Sequence, residues 1–328
     1  MKSLFFCALL CGSVLSASAA VEEPIDHRFV PATADPFVGD WQGEGDCVAQ
    51  IRLDEHGDYQ ANLLKAFDTG DTVIATLRGK PREGQLALRG SGWSGTIEQN
   101  RFKAAKGGER VDLRPVTRRS PTLGASPPAG AVVLFDGKNL DAWANKKGKQ
   151  WLVEDGPAPW KIVNDGALEV VPGTGGGIIS HQKFGDCHLH LEFRTLGAPS
   201  NSGVFLQTRY EVNINETYGR LDGTPGGGFD NCTPAGAKPR IRAALPPLVW
   251  QTFDIDFRAP RFDAKGNKIE DAVATVLLNG VKIYDHQKLD RPHGAAGRLG
   301  EAPTGPLMLQ EHGMPLQFRN IWVLPSQS

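Results

Sequence analysis

Apolar and polar residues alternate in short runs along most of the chain. Successive side chains of a β-strand point to opposite faces, so these runs predict strands wherever turn signals separate them. No run shows the 3.6-residue period of an amphipathic helix. The strands predicted in the first part of the chain are Val48–Leu53, Tyr59–Leu64, Val73–Leu77, Gln85–Leu88, Trp93–Glu98 and Val111–Val116. They predict a small all-β, barrel-like domain over residues 36–116.

The second part of the chain shows the same alternation of apolar and polar residues, in longer runs. Asn279-Gly280 between two apolar runs is a strong hairpin signal. The clearest strands predicted here are Trp160–Val163, Ala167–Val171, Ile178–Ser180, Cys187–Thr195, Trp250–Arg258, Val273–Leu278, Val281–Tyr284, Leu307–Gln310 and Leu316–Val323. About ten strands without a helix predict an all-β, concanavalin-like jelly-roll sandwich over residues 131–325. Residues 117–130, rich in Pro, Ser and Gly, are interpreted as a linker.

One stretch, residues 203–215, differs from the others because it combines a mostly apolar face with a face of amide and charged side chains. Read as a single strand, it places apolar side chains such as Val204 and Val212 on one face. The opposite face carries amides, a guanidinium and a carboxylate, and it lacks the lysines common on solvated faces. A Gly-rich loop over residues 223–236 follows. Loops of this kind often border sites, so we expect a polar binding face here, with a solvated sheet face as the alternative.

Composition narrows the class of protein. The chain has 36 Lys and Arg residues against 37 Asp and Glu, which gives a net charge of −1 and no indication of a nucleic-acid surface. Residues 1–20 have the charged start, apolar stretch and small-residue end of a signal peptide, and no run is long enough for a transmembrane helix. We therefore expect a periplasmic or secreted protein. The three cysteines after residue 20 cannot all pair, and Cys187–Cys232 is the one bridge that could form within a domain; free buried thiols are an equal alternative.

Three groups of residues could carry chemistry. Glu211 and Glu216 could serve as the two carboxylates of a retaining glucanase, although their spacing has opposite parity on a regular strand. His188 and His190 share a strand face and could bind zinc if a third ligand were present. His312, which follows Gln310 and Glu311 at a predicted strand end, is suited to proton transfer near neutral pH.

Residues 131–325 resemble the 3-keto-disaccharide hydrolase domain family, whose fold is similar to that of laminarinase-like glucanases. The resemblance rests on short motifs that occur in the same order. They are Leu134-Phe135-Asp136-Gly137, Leu140-Asp141-Ala142-Trp143, Leu191-Glu192-Phe193-Arg194, Asn201-Ser202-Gly203-Val204, Tyr210-Glu211-Val212, Trp250-Gln251-Thr252-Phe253, Leu278-Asn279-Gly280-Val281, Leu309-Gln310-Glu311-His312-Gly313 and Phe318-Arg319-Asn320-Ile321. The chain departs from the expected pattern at Asn213, Glu216 and Glu311, where each side chain keeps its chemical group but changes its reach.

The resemblance implies an exported hydrolase or lyase that cleaves glycosidic bonds of 3-keto-glycosides, with a carbohydrate as its partner. It implies Glu211 and His312 as catalytic residues. The substrate-binding residues it implies are Glu192, Arg194, Gln207, Arg209, Asn213, Gln310 and Glu311. The sequence assigns no cofactor, and a divalent metal ion is compatible with the resemblance. The alternatives are a non-catalytic carbohydrate-binding module and a retaining glucanase that uses Glu211 and Glu216.

Overall fold

The structure is a computed structural model that describes residues 29–45, 47–54, 56–68, 73–221, 226–229, 232, 238–239 and 241–326. The predicted signal peptide over residues 1–20, and most of the Gly-rich loop over 223–236, lie outside the described residues. The first ten strands are β1 Val30–Pro31, β2 Gly39–Gln42, β3 Val48–Leu53, β4 Tyr59–Leu64, β5 Val73–Gly79, β6 Pro81–Arg82, β7 Gln85–Gly90, β8 Trp93–Glu98, β9 Arg101–Lys106 and β10 Glu109–Val116.

The remaining strands begin after residue 130. They are β11 Val132–Phe135, β12 Trp143–Lys147, β13 Gln150–Pro157, β14 Lys161–Ile162, β15 Leu168–Glu169, β16 Ile178–Phe184, β17 Cys187–Thr195, β18 Gly197–Ala198, β19 Asn201–Leu206, β20 Tyr210–Asn215, β21 Gln251–Arg258, β22 Arg261–Phe262, β23 Lys268–Glu270, β24 Ala272–Leu278, β25 Val281–Leu289, β26 Gly305–Leu309 and β27 Leu316–Pro325. A 3₁₀ helix spans Gly294–Leu299. The chain is all-β, as predicted, and no helix among the described residues is long and apolar enough to cross a membrane.

Strands β2 to β10 form one antiparallel sheet that closes on itself. Its order is β5-β4-β3-β2-β10-β9-β8-β7-β6, and β5 also pairs with β7 through Arg78 and Arg89. Alternate side chains point inward and fill the centre. The largest of these are Trp41, Ile51, Leu63, Leu77, Leu88, Trp93, Ile97 and Phe102. We call this unit the barrel; it was expected from the alternation, although β9 was not predicted.

The second unit, which we call the sandwich, packs two sheets face to face around the larger core. One sheet has the order β14-β15-β27-β17-β21-β24-β25, with β11 beside β27; we call it the eight-stranded sheet. The other has the order β13-β12-β16-β26-β19-β20; we call it the six-stranded sheet. The side chains buried between them include Leu189, Leu191, Phe193, Val204, Tyr210, Val212, Phe253, Ile255, Leu309 and Phe318. This is the jelly-roll sandwich that the sequence predicted.

The stretch over residues 203–215 is a hairpin, so its interpretation as a single strand is wrong. β19 and β20 pair antiparallel from Asn201↔Asn215 to Leu206↔Tyr210, and residues 207–209 form the turn between them. Gln207 and Thr208 have φ of 54° and 58°, which brings the chain around. The predicted apolar face survives because Leu206 and Tyr210 pair directly and therefore point to the same side.

The segment over residues 117–130 crosses the outer face of the eight-stranded sheet and is bonded to it. The Ser120 hydroxyl lies 2.6 Å from that of Thr252, and the Thr122 hydroxyl donates to Asp254 at 2.6 Å. The Gly124 amide donates to Glu192 at 2.6 Å. The composition of the segment suggested a loose linker, but these contacts make it a strap on the sandwich.

A loop of the sandwich, which contains Tyr218 and Gly219, packs against the polar outer face of the barrel. Tyr218 is buried, and its hydroxyl donates to the Asp40 carboxylate at 2.9 Å. The Asn62 amide donates to the Gly219 carbonyl at 2.7 Å. Arg118 of the strap also donates to Asp40, at 2.8 Å. Burial raises the pKa of Asp40, while the hydrogen bonds from Arg118 and Tyr218 oppose the rise. Barrel, strap and sandwich are therefore joined by buried hydrogen bonds.

Candidate active site

The outer face of the six-stranded sheet carries a second apolar cluster, separate from the core. Strand register places Ala144, Ile179, Met308, Phe205 and Glu211 side by side across five strands. The first four are buried and pack together with the partly buried Trp151. The row therefore ends with a carboxylate beside an apolar platform.

Glu211 is positioned by a glycine on the neighbouring strand. A Cβ atom added at Gly203 would lie 2.4 Å from the Glu211 Oε1 atom, so the carboxylate rests directly over the glycine backbone. The other carboxylate oxygen lies 3.2 Å from Nε2 of His293. The imidazole of His293 in turn meets the ring of Phe205 edge-on, with centroids 5.6 Å apart. A carboxylate and an imidazole thus meet on the platform, which is the arrangement that proton transfer requires.

A second row runs beside the first and alternates polar residues with glycines. Lys146 donates its backbone amide to the Gly177 carbonyl, and the Gln310 amide donates to the Gly203 carbonyl. A Cβ at Gly177 would lie 2.4 Å from the Leu309 carbonyl oxygen, so no side chain fits there. The Gln310 Oε1 atom is buried without a hydrogen-bond partner among the described residues. Both glycines of this row are therefore in close contact with protein atoms, Gly177 with the Leu309 carbonyl and Gly203 with Glu211.

Lys146 lies on β12 at the far end of the second row, and Trp151 lies on the adjoining strand β13, from which its ring reaches over the platform. The Trp151 ring meets Phe205 edge-on with centroids 5.3 Å apart, and the Lys146 ammonium lies 5.4 Å from the Trp151 centroid. Lys146 is buried and donates to the Gly148 carbonyl. The outer face of the six-stranded sheet therefore carries an ammonium group and an indole ring that the sequence analysis did not identify, because β12 and β13 were not predicted.

The Gln310–His312 segment lies where β26 ends, as expected. Glu311 is buried, and its carboxylate accepts bonds from the backbone amides of Gly176 at 3.1 Å and Gly313 at 2.5 Å. It therefore holds two turns together. The His312 side chain is exposed at the rim. The direct imidazole partner of Glu211 is His293, not His312.

Gln207 and Arg209 brace the hairpin turn. Gln207 donates to the carbonyls of Phe184 at 3.2 Å and Pro303 at 3.1 Å. Arg209 donates through Nε to the Gly300 carbonyl at 2.6 Å, and burial lowers the pKa of its guanidinium. Both residues are buried. Through these contacts with backbone carbonyls, both side chains hold the hairpin turn in place.

Asn213 and Glu216 also face protein partners. The Asn213 side-chain oxygen accepts from the amides of Gly227 at 3.1 Å and Gly228 at 3.2 Å, and so fastens the described part of the Gly-rich loop. Glu216 accepts from the Thr195 hydroxyl at 2.9 Å, which belongs to the opposite sheet, and burial raises its pKa to about 7. Glu211 and Glu216 point to different sides of the six-stranded sheet, which argues against a paired-carboxylate glucanase.

Glu192 and Arg194 lie on the other sheet. Their strand β17 pairs with β21 and β27, not with β19 or β20, so the structure does not bring these two predicted binding residues beside Glu211. Glu192 sits under the strap and accepts from Arg319 Nε at 2.6 Å. Arg194 donates to Gln317 at 2.6 Å and lies over the Trp250 ring at 4.5 Å. Both contribute to the outer face of the eight-stranded sheet.

His188 and His190 occupy that same face. His190 is fully buried, and its Nδ1 lies 2.6 Å from the Asp254 carboxylate. Burial alone would raise the pKa of Glu192, but hydrogen bonds from His190, Asn320 and Arg319 bring it down to about 2. The His188 ring lies 2.7 Å from Asp256. Among the described residues, no group of three or more His, Cys, Asp and Glu side chains could hold a metal ion. Cys187 and Cys232, the one pair that could bridge within a domain, are both free buried thiols, as the alternative interpretation of the sequence had it.

His293 was missed because it lies in an irregular loop. Its neighbours, Arg291-Pro292-His293-Gly294, show no strand period, and nothing in the local sequence points to Glu211. Its backbone amide donates to the Arg209 carbonyl at 2.7 Å, which ties the loop to the hairpin turn. The contact depends on tertiary structure, and a His followed by Gly was the only local signal.

Solved structures that are similar to this chain include two candidate glycosyl hydrolases. A solved structure of a candidate glycosyl hydrolase from Parabacteroides distasonis ATCC 8503 is 30% identical, with a TM-score of 0.53 over 65% of this chain and 92% of that chain. A second candidate glycosyl hydrolase from the same organism is 19% identical, with a TM-score of 0.41 over 60% of this chain and 94% of that one. No curated protein sequence matches the chain.

The family model described as the 3-keto-alpha-glucoside-1,2-lyase-like domain matches residues 130–324. This range covers the sandwich and leaves the barrel outside. Together with the 30% identical structure, the match makes this chain a carbohydrate-active protein of the glycosyl hydrolase type. The chain belongs to the family of 3-keto-alpha-glucoside-1,2-lyase-like domains.

Proposed function

We propose that the protein is an exported enzyme that cleaves the glycosidic bond of 3-keto-glycosides, with Glu211 as the base. The observation that carries the proposal is the contact of 3.2 Å between the Glu211 carboxylate and His293, above Gly203 and beside an apolar platform. Family membership supports a 3-keto sugar as the substrate class. Export rests on the predicted signal peptide over residues 1–20.

The chemistry proceeds by elimination. A C3 ketone acidifies the hydrogen on C2, so a carboxylate can remove that proton and leave an enolate. The enolate electrons then form a C1–C2 double bond and expel the glycosidic oxygen, which takes up a proton. This product is that of a lyase. Addition of water to C1 with return of a proton to C2 completes the net hydrolysis.

Each step needs a group that the outer face supplies. Glu211 takes the C2 proton, and His293 fixes the carboxylate and exchanges a proton with it. Gln310 lies next to Gly203, to which its backbone amide donates. Its side-chain amide can donate to the ketone oxygen as negative charge develops there. His312, at the rim, supplies the proton to the leaving oxygen.

The test is turnover of a 3-keto-glycoside by the Glu211→Gln variant. The amide keeps the size of the side chain and some of its hydrogen bonding but loses the basic oxygen, so turnover falls by roughly 10²-fold or more. Glu270→Gln, an exposed position on the sandwich, is the matched control and keeps full turnover. In D₂O, the hydrolysis product carries deuterium at C2. Full turnover by Glu211→Gln, or a product without deuterium at C2, contradicts the proposal.

A further inference from the structure

The barrel has a wide groove on its outer side, far along the chain from the candidate active site. The groove has a volume of about 1680 Å³ and follows the outer face of β8, β9 and β10. The residues that line it include Ala87, Arg89, Ser94, Thr96, Arg101, Lys103, Ala105, Arg110, Asp112 and Arg114. The proposed reaction does not use this groove.

Strand register explains the shape of the groove. Arg89, Ser94, Ala105 and Arg110 form one row across β7, β8, β9 and β10. The small residues occupy the middle of the row and an arginine stands at each end. Neighbouring strands lie about 4.8 Å apart, so two extended arginine side chains can reach a common ligand above Ser94 and Ala105. Lys103 belongs to the adjacent row, beside Thr96.

The five basic residues that line the groove, Arg89, Arg101, Lys103, Arg110 and Arg114, outnumber its three acidic residues, Glu44, Glu109 and Asp112, which leaves a net charge of +2. Arg89, Lys103, Arg110 and Arg114 are exposed, and no ion pair joins any of them to another described residue. The Asp112 carboxylate on the same face is already bound by Arg101.

Arginines also stand directly opposite each other at the edge of the groove. Arg78 pairs with Arg89 across β5 and β7, although like charges in this position destabilise a sheet. Arg78 forms an ion pair with Asp54 at 3.0 Å, whereas Arg89 lines the groove. An anion bound above β8 and β9 would offset this repulsion.

We propose that this groove binds an anionic polysaccharide, through carboxylate or sulfate groups held by Arg89, Arg110 and Lys103. Guanidinium groups bind such oxyanions through two parallel hydrogen bonds. A polymer fits because the groove is long and its middle is lined by Ala, Ser and Thr side chains. The aromatic residue that touches it, Trp93, is buried in the barrel core and offers no stacking surface for a neutral sugar. Attachment to a carbohydrate-active sandwich favours a glycan over other polyanions.

The groove lies in the barrel, outside the residues matched by the family model. The proposal therefore holds or fails independently of the reaction assigned to Glu211. It gives the barrel a role in bringing the enzyme to an acidic glycan matrix.

The experiment measures binding of the full-length protein to polygalacturonate and to dextran sulfate, with unmodified dextran as the neutral comparison. We expect binding to the two anionic polymers only. It should weaken as ionic strength rises from about 0.1 M to 1 M, where the Debye length falls from about 10 Å to 3 Å. The double variant Arg89→Glu with Arg110→Glu weakens binding by about tenfold or more, because two attractive contacts become repulsive.

The matched control carries the same change of charge on the sandwich, as Lys265→Glu with Lys288→Glu, both exposed. The melting temperature and the circular-dichroism spectrum of both double variants stay at the wild-type values, which shows that each is folded. The proposal is overturned if the wild type binds neither anionic polymer, or if it binds dextran equally well. It is also overturned if the control variant loses as much affinity as the groove variant, or if only anionic lipid vesicles bind.

Discussion

Gly203→Ala is the substitution that most directly probes the position of the Glu211 carboxylate. The added Cβ would lie 2.4 Å from Oε1, 2.9 Å from Cγ and 3.0 Å from Cδ of Glu211. Ordinary contact between such atoms begins at about 3.4 Å, so the carboxylate must retreat by about 1 Å. That movement takes it out of its contact of 3.2 Å with His293 or changes its direction toward the sugar. A displacement of about 1 Å in an active site costs roughly 10²-fold in rate.

The fold should tolerate this substitution. The Gly203 backbone does not have a positive φ, and the clashing atoms belong to the end of one flexible side chain. The melting temperature should therefore change little, while turnover of a 3-keto-glycoside falls by roughly 10²-fold. Gly108→Ala is the matched control, since a Cβ there meets nothing within 4 Å. A Gly203→Ala variant that melts like the wild type and keeps its full turnover would refute the assignment of Glu211 to the reaction.

The other predictions concern the two histidines, the buried carboxyl group and the strap. His293→Gln lowers turnover by roughly 10²-fold for every 3-keto-glycoside, because the Glu211 carboxylate loses its partner; unchanged steady-state kinetics would contradict this. His312→Gln slows cleavage of 3-keto-disaccharides but not of 3-keto-4-nitrophenyl glycosides, whose leaving group needs no proton; equal losses on both substrates would exclude His312 as the acid. The pKa of Glu216 is raised from 4.5 to about 7 by burial. The folded state therefore keeps a proton that the unfolded state releases, and the free energy of unfolding falls as the pH rises between those values. Glu216→Gln should flatten this decline in urea titrations, and an unchanged slope would refute the cause. The strap over residues 117–130 should resist limited proteolysis under native conditions, and rapid cleavage there would contradict its described hydrogen bonds.

The fold was largely predictable because alternation records which face of each strand is buried. Strands such as Val48–Leu53 and Cys187–Thr195 have the predicted bounds. The strand Arg101–Lys106 was missed because two of its six residues are alanines, which weakens the contrast between its two faces. The turn over residues 207–209 was hidden because it contains no Gly, Pro or Asn and keeps the parity of the apolar positions.

The candidate site was only partly predictable. The sequence and the resemblance predicted Glu211 and Gln310 as site residues, and the structure places Glu211 on β20 and Gln310 directly after β26, both strands of the six-stranded sheet. They could not show that Gln207 and Arg209 are occupied by loop carbonyls, because a buried structural amide and a sugar-binding amide are the same residue type. The composition of the strap likewise suggested flexibility, although its hydroxyl and backbone groups bond to a polar sheet face. Contacts between distant segments decide these roles.

The central claim is that the protein acts on sugars oxidised at C3, and product analysis with paired substrates tests it most directly. The wild-type protein is incubated with a 3-keto-disaccharide and, separately, with the unoxidised parent disaccharide. The account predicts cleavage of the keto sugar alone, since only a C3 ketone makes the C2 proton acidic enough for Glu211 to remove. Cleavage of the parent sugar, or binding of the keto sugar without any turnover, would contradict it.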